Sequence, residues 1–452
     1  MPIARPEIRA AQEPLTQEEF RRAIEQGLGR AILCLQKHNP EPYKEIILET
    51  CLKDTRYDSQ CEGSRVPYLM QAIDLCDDQT FFRDVILEAY PETPVEVPEN
   101  KDTWLEEQFT NFALAFAQRG DLKARKLLFE SFAANPAYAY RFALNRDYAI
   151  IELDGLTGLT FVLEQYARIA QQDPEFSFRY WYMGGLFKQY GKAAIVAHIE
   201  KLCTENTAVQ NLITRSELLV SEKTTPHKKP KRLPYKNLQD AVSRRSEYRG
   251  SIPFWSQRAT KVQLRQAARD LLVQTDPELI RGYLYVFYKR VFPMSVKHLL
   301  ALAYHENEEV REHTIIALQR FQSPRVRDLA LGLLEDLKLR AEAIGLFEEN
   351  YLAGDFQYIL QVLRNLDDNH EIHQVGYCVR DVYKKNQLSE ALEPLLLQYE
   401  QNPCSNCRES TLELLFEIGI LPDWVLKEAQ FDSDEGIREK AQAWAASQLE
   451  QK

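Results

Sequence analysis

The sequence predicts an all-α fold of helical hairpins stacked in two arrays. Three observations carry that reading. Glycine is scarce, 17 residues in 452, and an all-β chain of this length needs more of it for its turns. Apolar residues recur at a 3.6-residue period, as on one face of a helix. Helix starts marked by a capping residue and a proline recur at spacings typical of helical repeats. With 45% apolar and 27% charged residues the chain has the composition of a folded, soluble protein. It is too long for one compact core unless the architecture is elongated.

Residues 1–15 read as an N-terminal tail. Met1-Pro2-Ile3-Ala4-Arg5-Pro6 lacks the apolar stretch of a secretory signal. Residues 16–222 read as the first helical array. Asn39-Pro40, Asn135-Pro136 and Asp173-Pro174 mark helix starts there, the last two 38 residues apart. Gly120-Asp121 leads into Leu127, Leu128 and Phe132, a hairpin-like unit. Pro91, Pro94 and Pro98 alternate with glutamates, which predicts an extended acidic break over 91–103. Asp154-Gly155 and Gly158 read as a turn that starts a helix. The aromatic run Phe176, Phe178, Tyr180, Trp181, Tyr182, Phe187 and Tyr190 reads first as core between helices. A groove for an apolar ligand or partner peptide is the functional alternative.

Residues 223–256 differ in kind. Pro226, Pro230, Pro234 and Pro253 interrupt them, and their charge is one-signed, so they read as a basic linker or exposed loop. Residues 257–452 read as the second array. Its clearest part begins at Asn307, which can cap a helix striped by Val310, Thr314, Ala317, Leu318 and Phe321. Ser323-Pro324 restarts the chain, with Ser323 expected to cap through its hydroxyl, and Val326, Leu329, Ala330, Leu333, Leu334 and Leu337 form the next stripe. Asp276-Pro277 and Asn402-Pro403 start further helices, and Asp276 lies 47 residues before Ser323.

Asn307-Glu-Glu-Val310-Arg311 with Ala317-Leu318 resembles a helix of a HEAT repeat. So do Ser323-Pro-Arg-Val326-Arg327 with Ala330 and Leu333, and Asp432-Ser-Asp-Glu-Gly-Ile437-Arg438 with Ala441. Val326 and Ile437 are 111 residues apart, three periods of 37. The chain is thus similar to the HEAT-repeat (armadillo-like) α-solenoid superfamily, with degenerate repeats. The resemblance implies a right-handed superhelix and a non-enzymatic scaffold that binds a protein or peptide on its concave face.

Charge is unevenly placed. Thirteen lysines and arginines between Lys223 and Arg269 face only Asp240 and Glu247, a net +11 in a chain of −11. Lys228, Lys229, Lys231 and Arg232 form one cluster, and Arg244, Arg245 and Arg249 another. Arg258, Lys261, Arg265 and Arg269 follow at helical spacing, which predicts one cationic helix face. Tyr235, Tyr248, Phe254 and Trp255 lie between the cations. Cations that track phosphates beside rings that stack suit nucleic acid or another polyanion. A solvated face with a flexible linker is the structural alternative. Lys228-Lys-Pro-Lys-Arg232 also resembles a nuclear import signal, a reading that applies only to a eukaryotic chain.

His370, His373, Cys404 and Cys407 carry the ligand types of a tetrahedral zinc site, with zinc as the one cofactor to expect if there is any. The same cysteine pair at a helix start permits redox chemistry. Cys34, Cys51, Cys61 and Cys76 read as buried small hydrophobes. No P-loop, dinucleotide fingerprint, nucleophile elbow or zinc-protease motif is present. Three functions therefore compete: a protein- or peptide-binding scaffold, a nucleic-acid-binding repeat protein, and a cofactor-handling or zinc-dependent enzyme. The absence of an apolar run long enough for a membrane span, with no secretory signal, sets the expectation of a cytoplasmic protein.

Overall fold

The computed structural model describes residues 13–99, 102–173, 175–176, 181–216, 233–244 and 250–450. Every regular element among them is helical, as the sequence predicts. Two compact units emerge. One comprises 11–225 with 427–452, and the other is built on 226–426.

The first unit opens with α1 (Gln17–Gln26), α2 (Arg30–Lys37) and α3 (Lys44–Cys51). Thr16 and Glu19 form a reciprocal capping box at the start of α1. There follow α4 (Val66–Asp74), α5 (Gln79–Glu88), α6 (Trp104–Gln118), α7 (Leu122–Ala134), α8 (Pro136–Arg141) and α9 (Arg146–Gln172). The unit continues through α10 (Trp181–Tyr190), α11 (Lys192–Glu205) and α12 (Thr207–Arg215). Asn135 caps α8, its side chain accepting from the Tyr138 N–H at 2.9 Å. Gly155 breaks α9 with φ 58° and ψ −130°, where the sequence placed a turn. The acidic segment over 91–99 is held down, since Asn135 donates to the carbonyls of Pro94 and Val95. Arg146 is fully buried beside Glu106 at 3.3 Å, and Tyr138 donates to the same carboxylate at 2.7 Å. Of the aromatic run, Phe176 packs against Tyr140 and Tyr166 in the core. Phe178 and Tyr180 lie outside the described residues, as do the side chains of Trp181 and Tyr182.

The second unit contains α13 (Tyr235–Ser243), α14 (Ser251–Arg258), α15 (Lys261–Leu272), α16 (Pro277–Leu284), α17 (Val296–Leu302), α18 (Glu308–Leu318) and α19 (Pro324–Leu333). It continues with α20 (Arg340–Gly345), α21 (Phe347–Asn350), α22 (Phe356–Arg364), α23 (Asn369–Lys385), α24 (Leu392–Gln401) and α25 (Ser405–Ile418). The helices pair as hairpins: α15/α16, α17/α18, α19/α20, α22/α23 and α24/α25. Their second members, α16, α18, α20, α23 and α25, pack on one another in unbroken succession. Ion pairs join each hairpin to the next. They link Arg281 to Glu309, Arg320 to Glu348, Arg327 to Asp355, Arg340 to Glu371 and Arg364 to Glu393.

Two of the repeat-like motifs share one geometry. The Asn307 side chain accepts from the Val310 N–H, and Arg311 Nη1 donates to the carbonyls of His305 and Glu306. The Asp434 side chain accepts from the Ile437 N–H, and Arg438 Nη1 donates to the carbonyls of Asp432 and Ser433. The third motif departs. Ser323 makes no side-chain cap; its N–H donates to Asn350 at 2.7 Å, and Arg327 is drawn to Asp355.

Helices α13 and α14 fall inside the stretch expected to be a basic linker. Trp255 Nε1 donates to the Pro234 carbonyl at 3.0 Å, and Gln263 donates to the Leu233 carbonyl at 2.9 Å. Tyr235 donates to Asp270 at 2.7 Å. Leu238, Val242, Ile252 and Trp255 are buried, so this part is packed structure with cations on its outside. Residues 223–232 and 245–249 of that stretch lie outside the described residues.

The last part of the chain, α26 (Asp423–Ala429) and α27 (Glu435–Glu450), starts in one unit and ends in the other. Residues 427–450, expected in the second array, belong with α1 and α2. Arg30 Nε meets Glu428 Oε1 at 2.7 Å with both side chains nearly buried, and Ser433 donates its N–H to the Gly27 carbonyl at 2.8 Å. A Cβ on Gly29 would stand 1.9 Å from the Glu428 carbonyl oxygen, so only glycine admits this approach.

Removing one partner of a buried pair takes a countercharge from the other. Arg30→Ala should therefore destabilise the protein by about 3–5 kcal/mol. The double change Arg30→Met with Glu428→Leu should recover most of that loss. Urea unfolding of the single and double variants measures both.

Candidate functional sites

Three candidate sites emerge, all in the second unit. The first lies where α23 meets the start of α25. Asn402 sets that start, its side-chain oxygen accepting from the Cys404 N–H at 3.1 Å. Cys404 then takes the N-cap position and Cys407 lies one turn in. Both are buried, at 4% and 2% exposure. His373 on α23 faces them, and the ligand atoms of His373, Cys404 and Cys407 all lie within 4.8 Å of one another. Of the four residues singled out by sequence, His370 stays outside. It is exposed and its ring meets Gln374 Nε2 at 2.9 Å.

Sequence reasoning missed two neighbours of this cluster. Arg380, 8% exposed, donates from Nη2 to Cys407 Sγ at 3.4 Å. The Tyr377 ring lies under the same guanidinium at 4.6 Å and meets the His373 ring edge-on at 4.9 Å. His373, Tyr377 and Arg380 follow the i, i+4, i+7 pattern of one helix face, a signal present in the sequence. The hydrogen bond from Cys404 draws the Cys407 thiol down to about 5 against the opposing effect of burial, with help from the charge of Arg380. Of the other cysteines, Cys34, Cys51 and Cys76 are buried as expected, whereas Cys61 is exposed.

The second candidate is the cationic face. Arg258, Lys261, Arg265 and Arg269 do not share one helix. Thr260 and Gln263 form a capping box that restarts the chain, so Arg258 ends α14 and Lys261 begins α15. Arg258 is engaged locally, its guanidinium 3.5 Å from the Phe254 ring centre and donating to the Phe254 carbonyl. Lys261, Arg265 and Arg269 are exposed along α15. Arg244 is exposed at the end of α13. Lys228, Lys229, Lys231, Arg232, Arg245 and Arg249 lie outside the described residues.

The third was not visible in the sequence. Glu312 on α18 and Glu342 on α20 are half-buried on adjacent second helices. Burial holds both carboxyls above the ordinary carboxylate range, and the charge of Glu312 adds to the effect at Glu342. Arg281 opposes the shift at Glu312, but among the described residues neither carboxylate forms an ion pair within 4.0 Å. Their 30-residue separation is repeat-sized, yet only a register between hairpins brings them together.

No known family matches the chain, and no curated protein matches it. Among solved structures it is similar to Kap121p bound to Pho4p, at 10% identity and a TM-score of 0.27, covering 93% of this chain and 52% of that one. Kap121p bound to Nup53p gives 9% identity and 0.27 over 93% and 54%. The chain thus spans about half the length of these proteins. Superpositions this loose say nothing of site or partner. Among the described residues, no helix is long and apolar enough to cross a membrane.

The lowered Cys407 thiol has a consequence for stability. Its value falls from 9.0 unfolded to about 5 folded. Between those values the unfolded chain holds more protons, so the thiolate's contribution grows as pH rises. It is complete above 9.0 and lost below about 5. In reduced, metal-free protein, the stability gap between wild type and Cys407→Ser should widen with pH across that window. Urea unfolding at both ends of it measures the gap; a constant gap would exclude a stabilised thiolate.

Proposed function

We propose that this protein is a non-enzymatic scaffold that binds an extended segment of a partner protein along the second-helix side of its 226–426 unit. In stacks of hairpins of the HEAT type, that side is the concave one and the usual binding surface. The shared geometry around Asn307–Arg311 and Asp434–Arg438 supports the HEAT-type assignment.

One observation carries the choice of partner. Glu312 and Glu342 are two half-buried carboxylates held above the ordinary range by burial, with Glu312 adding to the effect at Glu342, and among the described residues neither has an ion-pair partner. A lysine or arginine from a bound peptide relieves both the repulsion and the missing countercharge. The favoured partner segment is therefore basic and extended. Anisotropy with a library of Lys/Arg-bearing peptides tests this. Glu312→Gln with Glu342→Gln should weaken binding about tenfold, or ~1.4 kcal/mol. Peptide binding unchanged by that double substitution defeats the reading.

A second reading rests on α15. Lys261, Arg265 and Arg269 repeat every four residues, are exposed, and form no ion pair among the described residues. Such a row fits a polyanion backbone, so binding of DNA or RNA is the alternative. Binding that falls between about 50 and about 200 mM salt, and is lost on charge reversal of those three residues, would put nucleic acid first.

A further inference from the structure

We propose that His373, Cys404 and Cys407 form a binding site for a thiophilic divalent cation of the zinc class, with the fourth position open. The donor set is two thiolate sulfurs and one imidazole nitrogen, which select such a metal over magnesium or calcium. Tetrahedral zinc with Zn–S bonds of about 2.3 Å places its ligand atoms roughly 3.5–3.8 Å apart. The three atoms already lie within 4.8 Å of one another, so small side-chain rotations close the set.

The surroundings are those of a built site. Both side chains are buried, so thiolates formed there have little water to stabilise them and favour a bound cation. Arg380 Nη2 donates to Cys407 Sγ from behind, as an outer-shell partner does to a metal thiolate. Among the described residues its buried Nη1 has no hydrogen-bond partner. Once both thiols are ionised, two thiolates, one guanidinium and a neutral imidazole sum to one negative charge, which the cation more than offsets. Binding releases the remaining thiol protons to solvent. His373 is half-buried and Tyr377 is 53% exposed, so the cluster opens toward water on that side. The fourth position falls there and takes water or a donor from a bound partner.

The site joins consecutive second helices, α23 and α25, so the cation also ties two hairpins. Its effect extends to stability, which separates it from a merely adventitious surface ion.

The test uses the full chain, reduced and stripped of metal, titrated with Co(II) and then Zn(II). One Co(II) per chain should bind, with thiolate-to-cobalt charge transfer and the intense visible bands of a tetrahedral centre; Zn(II) should displace it and raise the melting temperature. Cys404→Ser and Cys407→Ser should abolish the charge-transfer band. His373→Ala, on a half-exposed residue that the fold tolerates, should weaken cobalt binding about tenfold or more. His370→Ala should change nothing. No tetrahedral cobalt spectrum at micromolar metal would overturn the proposal, as would a spectrum indifferent to His373→Ala. If the cysteine variants fail to fold, the His373→Ala comparison decides alone.

Discussion

A helical hairpin cannot bury both of its apolar faces by itself, so each one depends on the next. That constraint governs this chain from end to end. In the 226–426 unit the second helices pack in succession, and ion pairs 28 to 31 residues apart recur from hairpin to hairpin. The exposed pair among them, Arg364 with Glu393, adds little stability. The partly buried pairs fix register, since a slipped hairpin would leave Arg327 and the buried Asp355 unmatched. The same constraint leaves an end to be covered. At α1 and α2 the cover is the chain's own residues 427–450, seated by Gly27, Gly29 and the Arg30–Glu428 pair.

Helix starts were legible because they are local. Asn135, Asp276 and Asn307 cap where the sequence says they should, each through its own side chain. The α14–α15 break was also legible, in Thr260-x-x-Gln263, but regular cation spacing outweighed that signal in the reading. Spacing alone cannot tell one helix from two that meet at a cap. The packing of Tyr235, Leu238 and Trp255 was hidden because prolines and charge dominate their neighbourhood. Long-range facts were not legible at all. Nothing local to Arg30 or Glu428 says that residues 398 positions apart will meet.

The cysteine cluster shows both sides of this. Cys404-x-x-Cys407 fixes two sulfurs through one helix start, and His373 completes the set from a neighbouring helix. His370 seemed an equal ligand because it shares a helix face with His373. Three residues rise about 4.5 Å along the axis, enough to carry its ring away from sulfurs that His373 reaches. Tyr377 and Arg380 run the opposite way along α23, alongside the cysteines, and set their electrostatics.

The carboxylate pair and the cysteine cluster place opposite demands on two rungs of one ladder, with the α20–α23 step between them. Between α18 and α20 two half-buried carboxylates are held above their ordinary range, and Glu312 adds to the effect at Glu342. Between α23 and α25 an arginine already shares in the charge of a thiolate, which holds that step together before any ligand binds. A binding surface needs the first kind of rung, because affinity comes from interactions left unmade in the free protein. It also needs the second, because an extended partner gains nothing from a ladder whose rungs drift relative to one another. The cysteine cluster joins the next two second helices after the one that carries Glu342, a position from which such an anchor would serve the proposed surface without occupying it.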